Sequence, residues 1–354
     1  MKFKMKILSP TVVSDKNSIS SFDLLFDNDK ECRIIDIEGS KLNEDEIINI
    51  LNYMKKILSM KRSDRVHRTE KDDLENLRAF YKDLLKKGRA LKVYNTKIEI
   101  GIENYRAMNK IIVPMFHKKT EGEQTSLIPY IPGSSVKGSI RKAMAYNLLK
   151  NDKYYFNEFV SCMSGENKKA RRQECFDRLF MYENYGKHYD AKLDVLRFLE
   201  VSDFIPDNSY KLSLLQMSRL SSKNKIIQLQ AIMISAGTFY GDINYVSPPL
   251  KLRESVNRKI MALTNLKDIS SNEDVEKSII PILQSYYGRK GNTSCEGKAP
   301  IMIGFGTGAE MKGITELDDR FIRQYANKKN KSWPPKTHFS VNGKYPGQVC
   351  LEVI

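Results

Sequence analysis

Residues 3–8 largely alternate apolar and polar, with Phe3, Met5 and Ile7 on one side, and the run stops before Pro10. That period predicts an opening strand. Runs at 22–26 and 33–37 flank Asp27-Asn28-Asp29, as the arms of a hairpin would. The period then changes. Over 44–60 and 70–87 it is helical, with Ile47, Ile48, Leu51, Met54 and Leu58 forming one stripe. A helical insertion over about 42–90 is expected, carrying the basic stretch Lys61-Arg62-Ser63-Asp64-Arg65. Strand-like runs return at 91–100 and 111–116, and a polar loop at 118–126 follows.

Beyond that loop Val136, Ile140, Met144 and Leu148 fall four apart on one helical face, while Lys137 and Arg141 share another. A second helical region is predicted over 153–182, and strands over 196–201, 211–217 and 228–245. Helical spacing resumes at 252–265 and 273–287, then near 315–328 after a glycine-rich segment. Residues 338–341 and 348–354 read as a closing hairpin around Asn342-Gly343. Strands and helices intermingle without strict alternation, which predicts an α+β fold with mixed or antiparallel sheets.

Composition narrows the function. At 354 residues, 41% of them hydrophobic, the chain can bury one large core or two smaller ones and is not disordered. Lys and Arg outnumber Asp and Glu 59 to 43, and the net charge of +16 points to a polyanionic partner such as nucleic acid. The five cysteines, Cys32, Cys162, Cys175, Cys295 and Cys350, are scattered with no C-x-x-C pair, so reduced intracellular thiols are expected. Met1-Lys2-Phe3-Lys4-Met5-Lys6 lacks the apolar core of a signal peptide, and no stretch approaches the roughly 20 apolar residues of a membrane span. A cytoplasmic protein without membrane contact is the expectation.

The candidate chemistry lies in Ile131-Pro132-Gly133-Ser134-Ser135-Val136-Lys137-Gly138-Ser139-Ile140-Arg141-Lys142. Pro132 and Gly133 shape a turn, Ser134 or Ser135 can cap the helix that follows, and the amides of its first turn suit a phosphate. A Walker A loop needs Gly-Lys-Ser/Thr, but Lys137 precedes Gly138, so nucleotide hydrolysis is disfavoured. Ser134-Ser135-Val136-Lys137 fits Ser-x-x-Lys of acyl transfer, yet the partner motifs fail at the third residue, in Ser202-Asp203-Phe204 and Lys336-Thr337-His338. Gly304-Phe305-Gly306-Thr307-Gly308 is not a dinucleotide fingerprint. It is either an ordinary turn or a flexible loop that brings backbone amides and Lys312 to a phosphate chain.

Metal and acid–base chemistry find little support. His67, His117, His188 and His338 show no ligand spacing, and Cys162, Cys175 and His188, thirteen apart, lack the close pairs of structural zinc. Basic clusters at Lys55-Lys56, Lys86-Lys87-Gly88-Arg89, 168–172 and 328–331 are individually solvated faces and together a case for nucleic acid, with Tyr130 and Phe305 placed to stack on bases.

Four segments, in order, resemble the RAMP proteins of type III CRISPR effector complexes, crRNA-binding proteins on RRM-like, ferredoxin-type folds. Residues 131–141 are similar to the family's Ile-Pro-Gly-Ser-Ser-Leu-Lys-Gly-x-x-Arg, and Leu199-Glu200-Val201-Ser202-Asp203 to the strand after it. Ala236-Gly237-Thr238-Phe239-Tyr240-Gly241 resembles the small-Gly-Thr-x-Phe strand, and Gly304–Gly308 stands at the place of the C-terminal glycine-rich loop. Pro335-Lys336-Thr337 and Gly347-Gln348-Val349-Cys350-Leu351-Glu352 narrow the likeness to the type III-A (Csm) branch and to the subunit that ends its crRNA-bound filament. The likeness covers 131–354, and 1–130 fits in layout only. Where the family often has Pro-Leu-His-Ile-Gly-x-Gly, Pro10 is followed here by Thr11-Val12-Val13-Ser14-Asp15, and the first histidine is His67. That argues against the superfamily's repeat-processing endonucleases, whose histidine lies near the N-terminus.

The resemblance implies an α+β architecture of two RRM-like units, 1–245 with the insertion at about 42–90 and a smaller 246–354 carrying the glycine-rich loop. It implies a non-catalytic subunit that binds the 3′ region of crRNA, caps the backbone filament and contributes to crRNA maturation and defence against viruses and plasmids. The alternative is a RAMP-fold endoribonuclease that processes crRNA. RNA would lie between Gly133, Ser134, Ser135, Lys137, Gly138, Arg141 and Lys142 on one wall and Gly304, Phe305, Gly306, Gly308 and Lys312 on the other. Partners would be crRNA and other Csm subunits, above all the repeating RAMP backbone subunit, with host nucleases as a further class. No cofactor is implied.

Overall fold

Phe3, Met5 and Ile7 are buried because one face of the strand Lys2–Ile7 packs on the hydrophobic core, while Lys2 and Lys6 on the other face are exposed, and the strand lies inside a sheet rather than at its edge. It pairs antiparallel with Thr238–Tyr245 on one side and Gln348–Val353 on the other. Leu199–Val201 extends the first side and Ala299–Met302 the second. The computed structural model describes residues 1–15, 18–59, 68–88, 90–102, 110–164, 170–183, 188–220, 226–288, 295–305 and 338–354. Its helices are α1 (Glu44–Ser59), α2 (Arg68–Lys86), α3 (Gly133–Asn151), α4 (Lys153–Ser164), α5 (Ala170–Arg178), α6 (Leu250–Thr264) and α7 (Asn272–Tyr287).

Strand, α3, strand, strand, α7, strand is a βαββαβ unit, with its fourth strand, Gln348–Val353, beside the first. Ala299–Met302 is an added edge, and residues on both sides of position 245 share this sheet. Val136, Ile140, Met144 and Leu148 have no exposed surface, as their spacing predicts. Ala143, Ala145, Tyr146 and Leu149 are buried as well, so α3 is a core helix enclosed on most sides.

A second sheet runs Ser18–Ile19, Ile111–Ile112, Ile226–Ala236, Lys211–Leu220, Ile98–Ile100, Glu31–Lys41 and Leu24–Phe26. The hairpin read around Asp27-Asn28-Asp29 is present, with Leu24 opposite Ile34 and Phe26 opposite Cys32. The expected single run over 228–245 is two strands in two sheets, divided at Gly237, whose φ of +146° only glycine tolerates cheaply. Among the described residues no helix is long and apolar enough to cross a membrane.

Several expectations need correction. In α1 it is Ile50 and Ile57 that are buried, against Leu74, Leu77, Tyr81 and Leu84 of α2, while Ile47, Ile48 and Leu51 are exposed. The polar loop at 118–126 is a hairpin, Phe116–Glu121 with Gln124–Pro129, turning at Gly122 with φ +61°. It stands outside the two larger sheets: Phe116–Glu121 is almost wholly exposed and only Leu127 and Pro129 of the second arm are buried, so 118–126 shows no apolar alternation. The turn at Asn342-Gly343 is present, with both residues at positive φ, but its arms part. His338–Ser340 joins Lys211–Leu220 in one sheet and Gln348–Val353 joins Lys2–Ile7 in the other. Four of the thiols expected to be reduced form the disulfides Cys162–Cys175 and Cys295–Cys350. Cys32 is a buried free thiol whose pKa burial pushes up to about 12. The expected helix near 315–328 lies outside the described residues.

Candidate nucleic-acid interface

The approach to α3 is fixed from both sides. Ile131 exchanges backbone hydrogen bonds with Phe204, and Tyr130 N–H donates to Met115 O at 3.0 Å. Pro132 then stands at the N-cap with φ −58° and ψ 133°, and no side chain caps the helix. The serine cap expected from sequence is therefore replaced: Gly133 opens the helix, and Ser134 and Ser135 sit in its first turn. A Cβ on Gly133 would lie 2.1 Å from Val201 O, so only glycine lets the helix start press against the end of the neighbouring strand. Its N–H donates to Asp203 Oδ1 at 2.9 Å. A carboxylate thus already sits at the positive end of α3, where negative charge is favoured.

Farther along, Lys137 and Arg141 have different environments. Arg141 donates from Nη1 to Asp194 Oδ2 at 2.6 Å and from Nη2 to Asp177 Oδ1 at 3.1 Å, with its guanidinium 4.0 Å from the centre of the Phe180 ring. Asp194 also accepts from Leu196 N–H and the Tyr189 hydroxyl, and is buried. Arg141 is thus matched within the fold. Lys137, half-buried, has no salt bridge within 4 Å among the described residues; desolvation lowers its ammonium pKa, opposed by the charge of Asp194 and assisted by that of Arg141.

Ser134, Gly138 and Lys142 follow at four-residue intervals and form one ridge of the helix. Ser134 is exposed, Lys142 is half-buried, and a Cβ at Gly138 would meet nothing within 4 Å. Close packing therefore does not explain glycine at 138. Its effect is a bare stretch of helix between a hydroxyl and a cation, with Ser135 and Lys137 alongside.

Gly304 has φ +84°, and a Cβ there would lie 2.3 Å from Val12 O. Phe305 N–H donates to the same carbonyl at 2.8 Å, and its ring meets edge-on, at 5.4 Å, the ring of Phe339, over which the Arg219 guanidinium lies. Ser139 Oγ donates to Met302 O at 2.8 Å, tying α3 to the strand two residues before Gly304. Gly306, Gly308 and Lys312 lie outside the described residues.

Sequence reasoning singled out neither Asp203 nor Val12 for a role in the site. Asp203 is contributed from seventy residues away by a strand end, and Val12 by a backbone carbonyl that leaves no side-chain signal. The side chains of 168–172 and 328–331 lie outside the described residues, and Lys87 is paired with Asp83. His117 stacks on Tyr130 at 4.0 Å, and His188 contacts Glu174 at 2.7 Å. Among the described residues no three metal-ligating side chains converge.

Helix α3, the strand end at 201–203 and the loop at Gly304 are framed by a ferredoxin-like sheet. The chain aligns over 99% of its length, at 18% identity and a TM-score of 0.67, with the whole of a chain in a cryo-EM structure of a Csm–crRNA–target RNA ternary complex of a type III-A CRISPR-Cas system. It aligns over 98% of its length with 99% of T. onnurineus Csm5 in a crystal structure, at 16% identity and a TM-score of 0.60. The fold is that of Csm5. No protein-family model and no curated protein sequence matches the chain.

Proposed function

We propose that this chain is a non-catalytic subunit of a type III-A (Csm) effector complex, that it holds the 3′ region of crRNA and that it caps the repeating backbone filament. The observation that carries the reading is the Ser134-Gly138-Lys142 ridge of α3, bare at its centre and joined through Ser139 to the loop at Gly304. A sugar-phosphate backbone can lie along such a ridge, with Ser134 and Ser135 donating to its oxygens and Lys137 and Lys142 neutralising its charge. Gly304 and Phe305 supply the opposite wall. Arg141 takes a positioning role, since its guanidinium is held by Asp177 and Asp194.

These contacts address the backbone, so recognition is independent of base sequence. The net charge of +16 and the likeness to a chain from a crRNA-bound assembly support the reading. The test is co-expression with the other Csm subunits and a CRISPR array, followed by nuclease treatment and sequencing of the retained RNA. The proposal expects this chain in the purified complex and crRNA 3′ ends that recede when it is omitted. Unchanged 3′ ends in a complex lacking it would overturn the assignment.

A further inference from the structure

Beneath the hairpin of Phe116–Glu121 and Gln124–Pro129 lies a cleft of about 280 Å³ that the backbone contacts above do not use. Ile34, Tyr94, Phe116, Lys118, Leu127 and Tyr130 line it. Its size falls just below the roughly 300–1,000 Å³ of pockets that take drug-sized ligands, so its guest is one small ring system. Three aromatic rings among aliphatic side chains suit a flat face, and Lys118, exposed beside Tyr94 with its Nζ 5.4 Å from the ring centre, adds a cation.

The rings are already positioned. Tyr94 donates its hydroxyl to Asp36 Oδ2 at 2.8 Å, and Tyr130 is stacked on His117. Asp15 also contributes to the lining, which sets the cleft against a phosphate and in favour of a neutral ring with polar edges. Position matters as much as chemistry. Tyr130 precedes Gly133 by three residues, at most about 11 Å of extended chain, so the cleft opens beside the start of α3.

We propose that the cleft is a base subsite: one unpaired nucleobase of the RNA strand held along α3 turns into it and lies against Tyr94, Phe116 and Tyr130. The proposal rests on the RNA-binding reading above. Bases splayed from single strands onto aromatic side chains are a general mode of RNA recognition, and a flat ring edge can meet Lys118 without displacing the phosphates from Lys137 and Lys142.

The test compares two probes on the full chain, a single-stranded RNA of about 12 nucleotides and an abasic oligomer of the same length that keeps every phosphate. Tyr130→Ala is expected to weaken the first about tenfold and leave the second unchanged. Equal weakening of both probes, or none, overturns the subsite. If Tyr130→Ala does not fold, the wild-type chain still decides through photocrosslinking of RNA carrying 4-thiouridine. Crosslinks at Tyr94, Phe116 or Tyr130 support the subsite, and crosslinks confined to other residues overturn it. Wild-type protein that binds neither probe overturns the RNA-binding reading itself, a distinguishable failure.

Discussion

The backbone N–H of Gly133 donates to the carboxylate of Asp203 at 2.9 Å, so the first turn of α3 is held by an acid contributed from the end of another strand. The contact anchors the helix start and also places negative charge beside the ridge proposed for RNA. Asp203→Asn keeps an acceptor but removes the charge. Chemical denaturation is expected to show a loss of about 0.5–1 kcal/mol, as charge–dipole contacts at helix starts contribute. RNA affinity measured by fluorescence anisotropy is expected to rise.

Arg141 joins α3 to Asp177 and to the buried Asp194. Arg141→Ala strands both carboxylates, and removing one partner of a buried ion pair costs about 3 kcal/mol or more. The expected signature is a large fall in stability with little change in the salt dependence of RNA binding. A strong effect on that dependence in a still-folded variant would place Arg141 on the RNA instead.

A Cβ at Gly138 would meet open space, so Gly138→Ala is expected to stabilise the helix by about 0.5–1 kcal/mol. Gly138→Glu places bulk and negative charge on the bare ridge. Its folded form is expected to bind RNA at least about tenfold more weakly, the scale of one or two lost charge-assisted contacts. Thermal melts and binding curves on both variants separate the two effects.

Lys259 is buried in α6, with its ammonium 3.8 Å from the centre of the Tyr155 ring. Desolvation lowers its pKa to about 7, opposed by the charge of Asp152. Between that value and the ordinary lysine value of about 10.4, the unfolded chain binds a proton that the folded chain does not. This group's contribution therefore raises stability as pH climbs from about 7 to about 10, and below about 7 the full burial penalty stands. Lys259→Met is expected to stabilise the protein at neutral pH and to flatten the stability profile in that window, as read by urea midpoints across pH.

Much of the fold was legible because burial writes a period into the chain. Val136, Ile140, Met144 and Leu148 gave α3 its position, and Phe3, Met5 and Ile7 gave the central strand its face. The helical hairpin was legible as helices but not in orientation. Ile47, Ile48 and Leu51 look like a core stripe, yet α2 packs on Ile50 and Ile57, a choice made by the partner helix rather than by α1. Partnering also escaped the sequence at residues 338–353, where a local Asn-Gly turn signalled a hairpin but each arm found a longer partner in a different sheet.

The candidate site divides in the same way. Gly133 and Gly304 were visible as glycines, and their necessity lies in backbone oxygens brought up from Val201 and Val12. Lys137 and Arg141 were indistinguishable as cations four apart, until Asp177 and Asp194 gathered round one of them. The cysteines carried no pairing signal at separations of 13 and 55 residues, because proximity was set by α4, α5 and the closing strand.

The salt dependence of single-stranded RNA binding tests the central claim most directly. With Lys137 and Lys142 on the RNA backbone, wild-type affinity falls steeply with salt, and each phosphate contact on a single strand contributes about 0.7 to the logarithmic slope. Lys137→Ala with Lys142→Ala is expected to flatten that slope by about 1.4 while the protein remains folded. A folded double variant with the wild-type slope would contradict the account, because the RNA would then lie elsewhere on the molecule.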